Sequence, residues 1–202
     1  MFTPMVELIP EAKLGEAEVV HFEITEEQAR FARMRAAIGH SRERVLPGRY
    51  AQLRVRNQLV MSDTGHEQQT NRELVRRSHG KILIGGLGLG MVLVPILKKA
   101  EVDHVTVIEK SADVISLVGA CFDSPKLEII EADILEWKPP RGTRYDAIYF
   151  DIWPNICADN YEEMKKLHRR FGRYKTEGGW MSSWEHASTR DLRRYGWRHQ
   201  CW

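Results

Sequence analysis

Three glycines at alternate positions, Gly86, Gly88 and Gly90, follow the apolar run Ile82-Leu83-Ile84 in this chain of 202 residues. A strand that ends in glycines lets backbone approach a ligand closely, because glycine has no Cβ to clash and tolerates positive φ. A helix expected from Met91 adds unpaired N–H groups suited to a carboxylate or phosphate. The spacing is G-x-G-x-G. The dinucleotide fingerprint G-x-G-x-x-G fails, because position 91 is Met91 when the count starts at Gly86, and position 87 is Leu87 when it starts at Gly85. The Gly-Lys-Ser/Thr ending of a phosphate loop is also absent. Taken alone, the loop also suits a tight strand-to-helix turn that binds nothing.

Three acids follow in order. Glu109 ends the next apolar run, about 20 residues on, where such sites place the acid that accepts from ribose hydroxyls. An ionised carboxylate is acceptor-only and takes two hydroxyl donors at once. Asp133 lies in Glu131-Ala132-Asp133-Ile134, where it can also cap a short turn. Asp151 ends the apolar run Ala147-Ile148-Tyr149-Phe150. An acid there is costly to bury without a cationic partner. Trp153 can wall a cation by cation–π attraction or simply pack in the core. No Cys or His has a catalytic setting. His66, His168 and His186 read as surface or helix residues.

These residues must be positioned by alternating strands and helices. Strands are expected at Ile82-Ile84, Val105-Ile108, Leu127-Ile130, Ala147-Phe150 and Trp180-Ser183. Helices are expected from Gly90, Ser111, Ile134 (short), Asn160 and Ser188. Near-continuous apolar strands suit a parallel sheet buried on both faces. Upstream, Val19-Ile24 reads as a strand, and Thr25 with Gln28 as a capping box for a helix that Gly39 stops. Tyr50-Arg56 and Leu59-Met61 read as a hairpin about Asn57-Gln58. Glu67 to Arg77 reads as one helix. The expected division is an α+β extension over 1–79 and an α/β unit over 80–202.

The loop and acids together resemble class I S-adenosylmethionine-dependent methyltransferases over about residues 80 to 155. That resemblance implies a Rossmann-like, doubly wound, mostly parallel sheet. It places Gly86, Leu87, Gly88 and Gly90 around the methionine part of S-adenosylmethionine. It puts Glu109 at the ribose, Lys110 among the cofactor-binding residues, Asp133 and Ile134 at the adenine, and Asp151 beside the transferred methyl. Asp151, Trp153 and Asn155 are the expected catalytic residues, with Glu67 or Gln68 as further contacts. Residues 57 to 69 ahead of the loop, together with Val107-Ile108-Glu109 and Ala112-Ile115, are similar to the spermidine (polyamine) synthase branch. That branch carries acids where this chain has Leu89 and Pro154, so a polyamine acceptor is not expected. The resemblance also implies a closing C-terminal hairpin. Trp202 arrives too early for it, and the expected sheet has about five strands with an edge to be covered by the N-terminal region or by another subunit, as in a homo-oligomer.

Composition bounds the rest. Hydrophobic residues make up 43% of the chain, which suits a globular fold. No apolar run approaches the roughly 20 residues that span a bilayer. Glutamates dominate Glu7 to Glu27, and arginines Arg30 to Arg56, with a second basic stretch from Lys165 to Arg198. Such blocks can attract nucleic acid, but a net charge of +2 favours their facing each other or water. Cys121, Cys157 and Cys201 have no metal-like spacing, and a reduced, cytoplasmic setting is expected. No metal is expected. The acceptor is left open, and the alternatives to a methyltransferase are an aminopropyltransferase-like enzyme and a cofactor-binding protein without transfer activity.

Overall fold

The computed structural model describes residues 2–39 and 45–195. The basic positions Arg42, Arg44 and Arg198, and Cys201, lie outside the described residues.

The first layer is an antiparallel sheet in the order β1-β2-β3-β4, from β1 (Ala12–Leu14), β2 (Ala17–Ile24), β3 (Gly48–Val55) and β4 (Gln58–Ser62). Between β2 and β3 runs α1 (Glu26–Gly39). Its capping box is reciprocal: Gln28 Oε1 accepts from the Thr25 amide at 2.8 Å, and Thr25 Oγ1 from the Gln28 amide at 3.2 Å. The β3–β4 turn falls one residue earlier than its sequence suggests. Arg56 and Asn57 both take positive φ, 53° and 63°, as the two central residues of a tight hairpin must when the strands twist right-handed. Asp63 follows β4 and is 1% exposed. Its carboxylate accepts from the Met5 amide at 2.7 Å and the Ala51 amide at 2.8 Å, tying the N-terminal segment to β3.

The stretch from Glu67 to Arg77 is two short helices, α2 (Gly65–Thr70) and α3 (Arg72–Arg77), with Asn71 between them. Asn71 has φ −89° and ψ −2°, off the helical values, so the single helix expected there is broken at a buried amide.

The second layer holds β5 (Gly80–Gly85), β6 (Val102–Glu109), β7 (Leu127–Glu131), β8 (Tyr145–Phe150) and β9 (Lys175–Ser183). All pairings are parallel, in the order β7-β6-β5-β8-β9. The chain therefore builds outward from β5 to one edge, then restarts at β8 on the other side. Ligands of open α/β sheets bind at such a reversal, outside the carboxyl ends of the strands. Alternate residues explain the two buried faces. Ile82, Ile84, Val105, Val107 and Tyr149 pack in one cluster with Leu74, Leu93 and Val114. Leu83, Ile108, Ile148 and Phe150 pack in another with Met164, Leu167 and Phe171. The sheet is Rossmann-like and doubly wound.

The covering helices are α4 (Leu93–Leu97), α5 (Ala112–Leu117), α6 (Asn160–Phe171) and α7 (His186–Tyr195). Ser111 caps α5 by accepting from the Val114 amide at 3.3 Å. Two details differ from expectation. The helix after the glycine loop is five residues long and starts at Leu93, past Met91, so it offers no long dipole. Asp133 to Trp137 is a turn closed by backbone bonds to the Asp133 carbonyl, too short for a helix. The first cluster also contains Ala17, Val19, Ala51 and Leu53, so the antiparallel sheet shares its core with the parallel one. The Glu16 amide donates to Asp113 Oδ2 at 2.9 Å, which joins the β1–β2 turn to α5.

Candidate cofactor and acceptor site

A cavity of about 530 Å³ opens at the carboxyl ends of β5, β6 and β8, under the β3–β4 hairpin. That volume falls in the range of small-molecule and cofactor sites. Gly86, Leu87, Gly88, Glu109, Lys110, Asp133, Ile134, Asp151 and Trp153 all line it. The structure thus brings together most of the residues singled out from sequence.

The loop is built by cross-strand bonds. The Gly86 amide donates to the Ile108 carbonyl at 2.9 Å, and the Asp151 amide to the Gly85 carbonyl at 2.8 Å. Gly86 has φ +97°, and a Cβ there would lie 2.1 Å from the Asp151 carbonyl oxygen, so only glycine fits. Gly90 has a different task. It is buried against the Phe122 ring and does not reach the cavity wall. Met61 of β4 lies over the loop, its sulfur accepting from the Leu89 amide at 3.4 Å. Leu89 itself is buried in the first core cluster and absent from the cavity wall.

Glu109 holds the loop as well as facing the cavity. Its Oε2 accepts from the Leu87 amide and its Oε1 from the Ser111 amide, each at 2.9 Å. A carboxylate has about four lone-pair sites, so both oxygens can still take a hydroxyl donor. Asp133 Oδ1 accepts from the Leu135 amide at 2.8 Å, capping its own turn. Arg170 of α6 donates to the Ile134 and Leu135 carbonyls, which fixes that turn against the second core cluster. Ile134 is buried next to Gly85 and offers an apolar face.

At the other end Asp151 reaches the cavity but is otherwise enclosed by protein. Desolvation, then the charge of Glu67, push its carboxyl up to about 8. Glu67 of α2 is pushed up to about 7 by burial and by Glu185, against the pull of a bond from Trp184. Tyr149 is driven up by burial, then by Asp151, Glu67 and Glu185. The Trp184 indole N–H donates to Thr70 Oγ1 at 3.1 Å. Glu185 sits at φ +47°, in the left-handed region that a residue with a Cβ seldom adopts.

Besides Gly90, two expected contacts fall elsewhere. Asn155 does not line the cavity, and its carbonyl accepts from Asn160 Nδ2 at 2.8 Å. Gln68 also turns away from the cavity and donates to the Asp63 carbonyl at 2.9 Å. Trp153 lines the cavity but is anchored as a core residue. It packs in the second cluster, with Nε1 donating to Glu163 at 2.8 Å. Tyr149, Asn71, Trp184 and Glu185 were not legible as site residues. Only the Glu67 position hinted that an acid from the N-terminal part would meet Asp151. Cys121 is a free, half-buried thiol, and Cys157 is buried. Among the described residues no group of His, Cys, Asp and Glu could hold a metal ion, and no helix is long and apolar enough to cross a membrane.

No protein-family model and no curated protein matches the chain. Solved structures similar to it include an amino pentose methyltransferase from Micromonospora echinaspora bound to S-adenosylmethionine, 17% identical with a TM-score of 0.42 over 58% of this chain and 49% of that one. The N-methyltransferase NodS from Bradyrhizobium japonicum is 15% identical, with a TM-score of 0.47 over 65% of this chain and 75% of that one. Spermidine synthase from Thermotoga maritima is 19% identical, with a TM-score of 0.40 over 55% and 44%. The chain spans about half the length of the first and third of these. Identities this low concern the fold alone.

Proposed function

We propose that this chain is an S-adenosylmethionine-dependent transferase of the methyltransferase kind. The observation that carries the reading is the convergence of Gly86, Gly88, Glu109, Asp133 and Asp151 on one cavity at the sheet's reversal point. The residues fit the cofactor. Gly86 and Gly88 offer backbone that no Cβ shields. Glu109 and Lys110 would hold the ribose, and Asp133 with Ile134 the adenine. When bound, the cofactor supplies an electrophilic sulfonium methyl group. The chain's own task is then to orient an acceptor, exclude water and take its proton. Asp151 is placed for the last of these. The half-buried β4 residue Met61 and buried Trp184 help keep water from that end.

The test is titration calorimetry with S-adenosylmethionine, S-adenosylhomocysteine and decarboxylated S-adenosylmethionine. Comparable tight binding of the first two is expected. Preference for the third would instead support aminopropyl transfer, and folded protein that binds none of them at millimolar concentration overturns the reading.

A further inference from the structure

The Asp151 end of the cavity gathers two carboxyl groups, more than a sulfonium requires. Glu67 and Asp151 both line it, and the charge of Glu67 adds to what burial already costs Asp151 on ionising. Glu185 adds its charge beside Glu67, the buried Tyr149 hydroxyl keeps its proton, and among the described residues no cationic side chain acts on Glu67 or Asp151. A second feature is independent of charge. Asn71 is 0% exposed and lines the same cavity, and its amide oxygen has no hydrogen-bond partner. Its amide nitrogen is already committed to the Glu67 carbonyl at 3.1 Å. A buried carbonyl without a donor is costly, so a donor from a ligand is favoured there. Leu53 and Val55 of β3, Val60 and Met61 of β4, and Leu74 of α3 supply an apolar wall, and the hairpin tip adds Gln58 and the Glu16–Arg56 ion pair at 2.7 Å.

We propose that this end of the cavity is an acceptor subsite for a singly charged amine with an apolar body, its nitrogen held by Glu67, Asp151 and the Asn71 amide oxygen. The inference rests on the transferase reading and names its acceptor class. An ammonium group satisfies what the site lacks, since it is three donors with no acceptor. The apolar wall of β3, β4 and Leu74 takes the body. The acid on that side, Glu16, is already paired with Arg56, so a second ammonium group would have to displace the arginine, which sets this class apart from polyamines. Before its nitrogen can act as a nucleophile, the ammonium must shed a proton. It passes that proton to a carboxylate oxygen of Asp151 or Glu67, so that an ammonium and a carboxylate become an amine and a carboxylic acid. Carboxyls held near neutrality suit that exchange better than ordinary ones.

The experiment is calorimetry on the full chain. S-adenosylhomocysteine is titrated first, and its failure to bind folded protein would remove the transferase reading. Benzylamine and n-hexylamine are then titrated into the S-adenosylhomocysteine complex near pH 7, in two buffers of different ionisation enthalpy, with benzyl alcohol and 1-hexanol as neutral controls. The expected result is that an amine binds and the alcohols do not, with proton release to the buffer as the carboxyls ionise. Glu67→Gln should weaken amine binding by about tenfold or more while S-adenosylhomocysteine affinity stays within about twofold. Glu185→Gln, more distant, should weaken it less. Failure of both amines to bind the complex would overturn the proposal. So would a Glu67→Gln variant that melts normally and loses S-adenosylhomocysteine affinity instead, since the acids would then serve the cofactor's own ammonium.

Discussion

Replacing Glu109 separates a ribose acceptor from a mere strand-end acid. Its carboxylate receives two backbone N–H groups, from Leu87 and Ser111, both at 2.9 Å. Hydrogen bonds to a charged group are worth about 1.5–3 kcal/mol each. Glu109 is half-buried and water can reach the freed amides, so Glu109→Ala should cost about 1.5–3 kcal/mol of stability in total rather than the full sum. For a chain of this size that is a melting shift of roughly 3–12 °C. Loss of two ribose contacts should weaken S-adenosylhomocysteine by on the order of a hundredfold or more. Glu109→Gln is the sharper variant. Glutamine offers one acceptor oxygen, so its amide nitrogen must face the N–H of either Leu87 or Ser111. Gln should therefore behave nearly as badly as Ala. Thermal denaturation followed by circular dichroism and calorimetric titration provide the two readouts. A Glu109→Gln protein with wild-type melting and wild-type affinity would refute the bridging role.

Gly86→Ala should lower the melting temperature and abolish cofactor binding, since the new Cβ meets the Asp151 carbonyl oxygen at 2.1 Å on a backbone with φ +97°; a normal melt and titration would contradict this. Asp63→Ala leaves two buried amides unsatisfied, a loss of about 2–5 kcal/mol in urea unfolding, with earlier proteolysis at the N-terminal segment. Stability should fall as pH rises. Asp151 and Glu67 keep their protons in the folded state to about 8 and about 7, whereas the unfolded chain loses them near 4. The native state thus binds more protons over that interval, so the contribution is full below about pH 4 and lost by about pH 8. Urea titrations at pH 5 and 8 should show the decline, and Asp151→Asn should flatten it.

Much of the parallel sheet is legible in the chain itself, because a strand buried on both faces must be apolar throughout. Ile82-Ile84, Val105-Ile108 and Ala147-Phe150 satisfy that requirement. Gly86, Glu109 and Asp133 are equally local: each follows a strand, and the strand's end decides where it points. The Thr25–Gln28 capping box is local too, since both its bonds close within four residues. Other features depend on what lies across the fold. Asn71 breaks the run from Glu67 to Arg77, whose apolar positions alone read as one helix. The expected aromatic wall at Trp153 is tied down by Glu163, ten residues away on α6. The order β7-β6-β5-β8-β9 sets β8 beside β5, so the Asp151 carbonyl lies against Gly86 although 65 residues separate them. The acidic end of the cavity is the clearest case. Glu67, Asp151 and Glu185 come from α2, the end of β8 and the start of α7, and each is an unremarkable acid in its own segment. Only the tertiary structure withdraws water from Glu67 and Asp151 together, and burial with like charge is what shifts those two carboxyls toward neutrality.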